Sequence, residues 1–179
     1  MPLLLASIVV LLLALPASAG EVDPRTLALR QADVPAGYRL DPDGSGPRTN
    51  ESEAKSDRRL AGLFRRWGRI TGYETEYDRQ EATITSRADL YRSSEGARLV
   101  MAWFVAEAKK SGIKGLRRSP ARIGAEGWLY GAKPASSAFN LVVWRHDRVF
   151  AGVVSLGVAQ APTLALARVQ QRRIAAALG

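Results

Sequence analysis

Residues 138–145 and 149–156 are apolar on both faces. In the first run Phe139, Leu141 and Val143 alternate with Val142 and Trp144. In the second, Val149, Ala151 and Val153 alternate with Phe150, Val154 and Leu156. A strand in a sheet with one solvated face alternates apolar and polar residues, whereas a strand apolar on both sides has to be covered on both. The pair, turned at His146-Asp147-Arg148, therefore predicts a hairpin at the centre of a sheet or lining a cavity.

The rest of the chain supplies neighbours for that hairpin. Tyr73, Thr75 and Tyr77 alternate with Glu74, Glu76 and Asp78, and Ile84, Ala88 and Leu90 alternate with polar residues, which predicts half-buried antiparallel strands over 72–78 and 82–91. A short strand is expected over 127–131 and an extended piece over 38–40. Helices are expected over 24–32 (Asp23 cap, Pro24 first), 50–67, 94–110 (Ser93 cap) and 163–178. Residues 41–49, with two Pro and two Gly, and residues 111–125 predict loops. Runs of consecutive strands imply hairpins. The predicted class is α+β: a mainly antiparallel sheet of about five strands with helices packed on one side. Residues 20–49 form an N-terminal helix and loop segment and 50–179 the α+β domain, the two together making one globular unit.

Residues 3–15 are apolar except Ser7, Pro16 follows, and Ala17-Ser18-Ala19 offers small residues for a signal peptidase. This pattern predicts a secretory signal peptide over 1–19, the alternative being an uncleaved anchor. The chain has no Cys, so neither disulfides nor a lipid anchor are expected, and the domain stands on its core alone. Its net charge is +9, with 21 Arg against 5 Lys. An Arg- and Ala-rich composition suggests a GC-rich bacterial genome. A basic exported protein has anionic neighbours: lipid headgroups, acidic wall polymers or another envelope protein. Export disfavours nucleic acid as a partner.

The stretch Leu29-Arg30-Gln31-Ala32-Asp33-Val34-Pro35-Ala36-Gly37-Tyr38-Arg39-Leu40, taken with Arg122-Ile123-Gly124-Ala125-Glu126-Gly127 and the final hairpin, resembles small exported domains of actinobacteria. These include cell-wall lipoproteins and the extracellular sensor domains of membrane serine/threonine kinases. The resemblance implies an exported, noncatalytic α+β domain. It carries no functional residues over to this chain.

Few residues offer chemistry. His146 is the only histidine, beside Asp147, with Ser155 or Ser137 as conceivable nucleophiles and an exposed turn residue as the plain alternative. One His and no Cys exclude the usual zinc ligand sets, and no cofactor is expected. Glu74, Glu76 and Asp78 share a strand face, about 7 Å apart at every second residue. They can serve a Ca²⁺ ion or an acid/base pair, or simply a solvated face with Arg87 opposite as a cross-strand ion pair. Arg58, Arg65 and Arg69 share a helical face. The densest signal is Lys109, Lys110, Lys114, Arg117, Arg118 and Arg122, six cations in fourteen residues with no acid. These six are the candidate ligand-binding residues, for an anionic or lipidic partner beside Trp103 or Trp128. The sequence thus points to a noncatalytic envelope domain. The alternatives are a self-association or protein–protein module, and, behind both, a hydrolase using Glu74, Glu76 or Asp78.

Overall fold

The structure, a computed structural model, describes residues 22–132 and 138–179; the expected signal peptide and Ser137 lie outside them. Seven strands form one wholly antiparallel sheet: β1 (Arg39–Arg48), β2 (Arg69–Arg79), β3 (Ala82–Tyr91), β4 (Arg117–Pro120), β5 (Glu126–Ala132), β6 (Phe139–His146) and β7 (Val149–Leu156). The spatial order is β1-β2-β3-β7-β6-β5-β4. Among the described residues the α-helices are α1 (Asn50–Ser56), α2 (Arg58–Arg66), α3 (Ser94–Lys110) and α4 (Gln160–Leu178).

The two-sided hairpin lies in the middle of the sheet, as its pattern requires. Val142, Trp144, Ala151 and Val153 pack with Leu166, Ala167 and Ile174 of α4. Val143 and Phe150, on the other face, pack with Phe64 of α2 and with Val100 and Met101 of α3. This corrects the expectation of helices on one side: α4 covers one face and α2–α3 the other. The count of about five strands is also low by two. The missing strands are the sheet's edges: β4, which falls where a loop was expected, and β1, which continues the expected extended piece at 38–40 into the loop expected over 41–49.

Two helices differ from expectation. The helix expected over 50–67 breaks at Asp57, which has an extended backbone and caps α2 by accepting the Leu60 N–H at 2.9 Å. The helix expected over 24–32 is two single turns, Pro24–Thr26 and Gln31–Asp33. Leu27, Ala28 and Leu29 are all fully buried, and three consecutive residues cannot share one helical face. The extended Leu29 instead donates its N–H to Ser86 Oγ (3.0 Å) and accepts from Tyr77 Oη (2.8 Å). Ser86 Oγ in turn donates to Gln170 of α4 at 3.0 Å, so the N-terminal segment, sheet and α4 are joined by one buried polar chain.

Arg173 of α4 clamps the same segment, donating from Nε and Nη2 to Asp33 at 3.0 and 2.7 Å. Burial alone would raise the Asp33 carboxyl, but the Arg173 bonds and the Arg30 N–H outweigh it and hold the group below the usual carboxylate range. A depressed folded pKa means the clamp stabilises above the unfolded value, near 4, and is lost as pH falls through the folded one. Asp33→Ala is expected to cost about 1–2 kcal/mol at neutral pH. In acid denaturation profiles the difference from wild type should shrink as pH falls below about 4 and vanish once the folded carboxyl is protonated.

Candidate functional site

A cleft of about 1430 Å³ opens on the α4 side of the sheet. Its walls come from separate stretches of chain. The β2–β3 turn contributes Arg79 and Glu81, β4 contributes Arg117 and Ser119, and the chain entering α4 contributes Val158 to Gln160; Leu129, Gly131 and Asn140 of the sheet also line it. Close approach sets this arrangement. Gly157 has φ +67°, and a Cβ there would lie 3.1 Å from Glu81 O, so glycine lets the β2–β3 turn come against the start of α4. Asn140 donates to Val158 O at 2.7 Å and holds that entry in place.

The cleft is cationic on balance, with Arg79, Arg117 and Arg118 against Glu81. The start of α4 adds to this. Its N-cap is Ala159, with no side-chain cap, and the first turn holds no acid. The positive end of the helix dipole therefore faces the cleft with no carboxylate in its own first turn, Glu81 being the cleft's one acid. Arg79 lies over the Tyr38 ring at 4.5 Å from its centroid, which fixes the guanidinium at the rim. The site thus offers cationic donors around a partly apolar floor.

The six cations read from the sequence fall into three groups. Lys109 and Lys110 end α3, where Lys110 pairs with Glu107 at 3.0 Å. Lys114 stands in the α3–β4 loop. Arg117 and Arg118 are neighbours on edge strand β4 and project to opposite faces, Arg118 stacking over Trp128 at 4.2 Å. Arg122 follows β4 with φ +45°. All six are exposed. Arg117 and Arg118 line the cleft, while Arg79, its third arginine, lies outside the basic run and carried no signal in sequence.

The acidic face divides. Glu74 is held by Arg48 at 2.6 Å and by Arg87 at 3.7 Å, the expected cross-strand pair. Glu76 and Asp78 instead join Asp41 of β1, the three carboxylates lying within 4.8 Å of one another. Asp78 accepts from Thr83 Oγ1 at 2.8 Å and Glu76 from Thr85 Oγ1 at 3.3 Å. His146 is not an exposed turn residue: it is half-buried at the end of β6, with Nδ1 3.0 Å from Gln171 Nε2 of α4. Ser155 sits at the far end of the hairpin, paired with Asn140, about 20 Å away at strand spacing. Its hydroxyl is bonded to Thr163 Oγ1 at 2.7 Å. No Ser–His couple forms between them.

No protein-family model matches the chain, and no curated protein matches it. Among solved structures, the extracellular domain of PknH from Mycobacterium tuberculosis superposes with a TM-score of 0.51. The match covers 84% of this chain and 94% of that one, at 10% sequence identity. This chain shares that fold. The likeness meets the resemblance expected from residues 29–40 and 122–127, and at this identity it extends to architecture alone. No helix among the described residues is long and apolar enough to cross a membrane.

Proposed function

We propose that this chain is a noncatalytic extracellular binding domain whose ligand is an anionic amphiphile held in the cleft at the start of α4. The observation that carries the reading is the pairing of Arg79 and Arg117 with an acid-free, uncapped helix start around an apolar floor that includes Leu129 and Val158. Charged donors fix an anionic group, and the floor accepts a hydrocarbon segment. An extracellular domain as structural neighbour is consistent with this role. Self-association through an apolar sheet face has less support. Helices cover the central strands on both sides, and the exposed large apolar residues, Leu40, Ile113 and Leu156, sit on three separate elements. Arg79→Gln with Arg117→Gln is expected to weaken binding of dodecyl phosphate at least tenfold, each lost charged hydrogen bond costing about 1.5–3 kcal/mol. Isothermal titration checks this, and unchanged affinity in the double variant would remove the cleft as the site.

A further inference from the structure

The α3–β4 loop is built to present its tip. Ser111 Oγ donates to Ala108 O at 2.9 Å, and the Leu116 N–H donates to Ile113 O at 3.2 Å, closing a turn over Lys114-Gly115. Gly112 and Gly115, at φ +68° and +76°, take the left-handed positions that this path needs. The result is Ile113, 45% exposed, standing between Lys109-Lys110 and Lys114. An exposed branched aliphatic residue thus stands on a loop flanked in sequence by three lysines.

Beneath the loop is a second, smaller cavity of about 420 Å³, with Ala108, Ile113 and Leu116 as apolar wall and Lys109, Arg118 and Tyr130 as polar lining. Tyr130 is 3% exposed, yet its hydroxyl has no hydrogen-bond partner among the described residues. The ring is held edge-on to Phe104 at 6.0 Å, and the stacking of Arg118 on Trp128 fixes the neighbouring guanidinium. Burial raises the hydroxyl's pKa, with Arg118 partly offsetting it, so at neutral pH it is a proton donor. A buried donor left unpaired costs stability unless something else uses it.

We propose that this loop docks the protein on an anionic lipid bilayer. Ile113 enters the interface, Lys109, Lys110 and Lys114 meet the surface charge, and a phosphodiester headgroup sits between Lys109, Arg118 and the Tyr130 hydroxyl. Charge complementarity selects the bilayer: among the described residues Glu107, at 3.0 Å from Lys110, is the one acid ion-paired with these lysines. Ile113 and the apolar wall distinguish a bilayer from a polymer of charge alone. Arg118 borders both cavities, but the inference is separable from the cleft reading, because Lys109, Lys110, Ile113, Lys114 and Tyr130 do not line the cleft.

The test is co-sedimentation of the full chain with vesicles of phosphatidylcholine containing phosphatidylglycerol, against phosphatidylcholine alone. The comparison subtracts any binding by the apolar residues 3–15. Wild type should bind the anionic vesicles and release them as salt rises. Lys109→Gln, Lys110→Gln and Lys114→Gln together should weaken binding about a hundredfold, at roughly fivefold per cation near the surface. Ile113→Ser should weaken it about tenfold, and Tyr130→Phe, which keeps the ring, about fivefold. The lysines and Ile113 are solvent-exposed, so an unchanged thermal midpoint separates lost docking from lost folding. Equal binding to neutral vesicles, or an unaffected triple variant, overturns the proposal. A loss in the triple variant with none in Ile113→Ser also overturns it, and makes an anionic wall polymer the occupant. Loss of docking with dodecyl phosphate binding intact leaves the cleft reading standing; the reverse leaves the docking loop standing.

Discussion

Asp89→Ala is expected to lose about 3–5 kcal/mol of folding stability, the cost of stranding a buried charge. Asp89 is 1% exposed and serves two guanidiniums. Its Oδ1 accepts Arg69 Nε and Nη2 at 3.1 and 2.6 Å, and its Oδ2 accepts Arg87 Nε at 3.0 Å. Arg69, itself fully buried at its side chain, also donates to Asn50 Oδ1 and Arg48 O and lies 4.9 Å from the Phe64 ring centroid. Arg87 reaches Glu53 at 2.8 Å, and Glu53 comes from α1. The network therefore joins β1, β2, β3 and α1, and holds three Arg against three acids: Arg48, Arg69 and Arg87 with Glu53, Glu74 and Asp89. Without Asp89, Arg69 keeps its neutral acceptors and, as its only carboxylate, the more distant Glu53 at 4.0 Å. Replacing both ends, Arg69→Met with Asp89→Leu, should restore most of the loss, because an apolar pair removes the charge as well as its partner. Gly72→Ala should resemble Asp89→Ala, since a Cβ there collides with the Asp89 carboxylate and lies 2.6 Å from Arg69 Nη2. Denaturant midpoints for the three variants decide. An Asp89→Ala loss below about 1 kcal/mol would show that water reaches the cluster.

Trp144→Ala is expected to cost a further 3–5 kcal/mol class of loss, about the range for emptying a large buried aromatic site. Trp144 is the largest fully buried side chain, on the α4 face of β6. The segment after β4 closes over it. Gly124, at φ +61°, lies so close that a Cβ would meet Arg145 O and, at 3.0 Å, Trp144 Cδ1; at Gly127 a Cβ would lie 3.3 Å from Trp144 Cβ. That tight lid limits how far the site can collapse, which places the cost toward the upper part of the range. The indole Nε1 has no partner among the described residues. Trp144→Phe removes that donor as well as some volume, so it should cost clearly less than Trp144→Ala. Equal losses would contradict a cost set by the emptied volume.

The sequence was most legible where burial imposes a period. The ranges of β3 and β7 match the alternating runs from end to end, and α3 begins at its Ser93 cap, which accepts the Gly96 N–H at 3.2 Å. The two-sided pattern of β6 and β7 already demanded cover on both faces. Assigning all helices to one side set that demand aside. The missed strands are both edges. β1 contains Pro42, Gly44, Gly46 and Pro47 and breaks register between Asp41 and Gly46, where Ser45 Oγ takes the Glu76 N–H at 2.9 Å. β4 is exposed along its whole length and ends in Pro120. An edge tolerates Pro and has no buried face to write a pattern, so such strands read as loops.

The site shows the same division. The basic run around β4 was visible because charge is a local property of sequence. The cleft was not, because its walls come from the β2–β3 turn, β4, β5 and the start of α4, brought together by pairing across as many as eighty residues. Arg79 in particular sits alone among acids in the sequence, and only the fold carries it to Arg117. Glu74, by contrast, had its structural role written in its register with Arg87.

Isothermal titration of the full chain with dodecyl phosphate and dodecyl maltoside, each below its micelle concentration, tests the binding role most directly. The two share an apolar chain and differ in headgroup charge. The cleft predicts saturable one-to-one binding of the phosphate, at least about tenfold tighter than the maltoside, with the preference abolished in the Arg79→Gln, Arg117→Gln double variant. Equal affinity for both amphiphiles, or a phosphate preference that survives in the double variant, would contradict it.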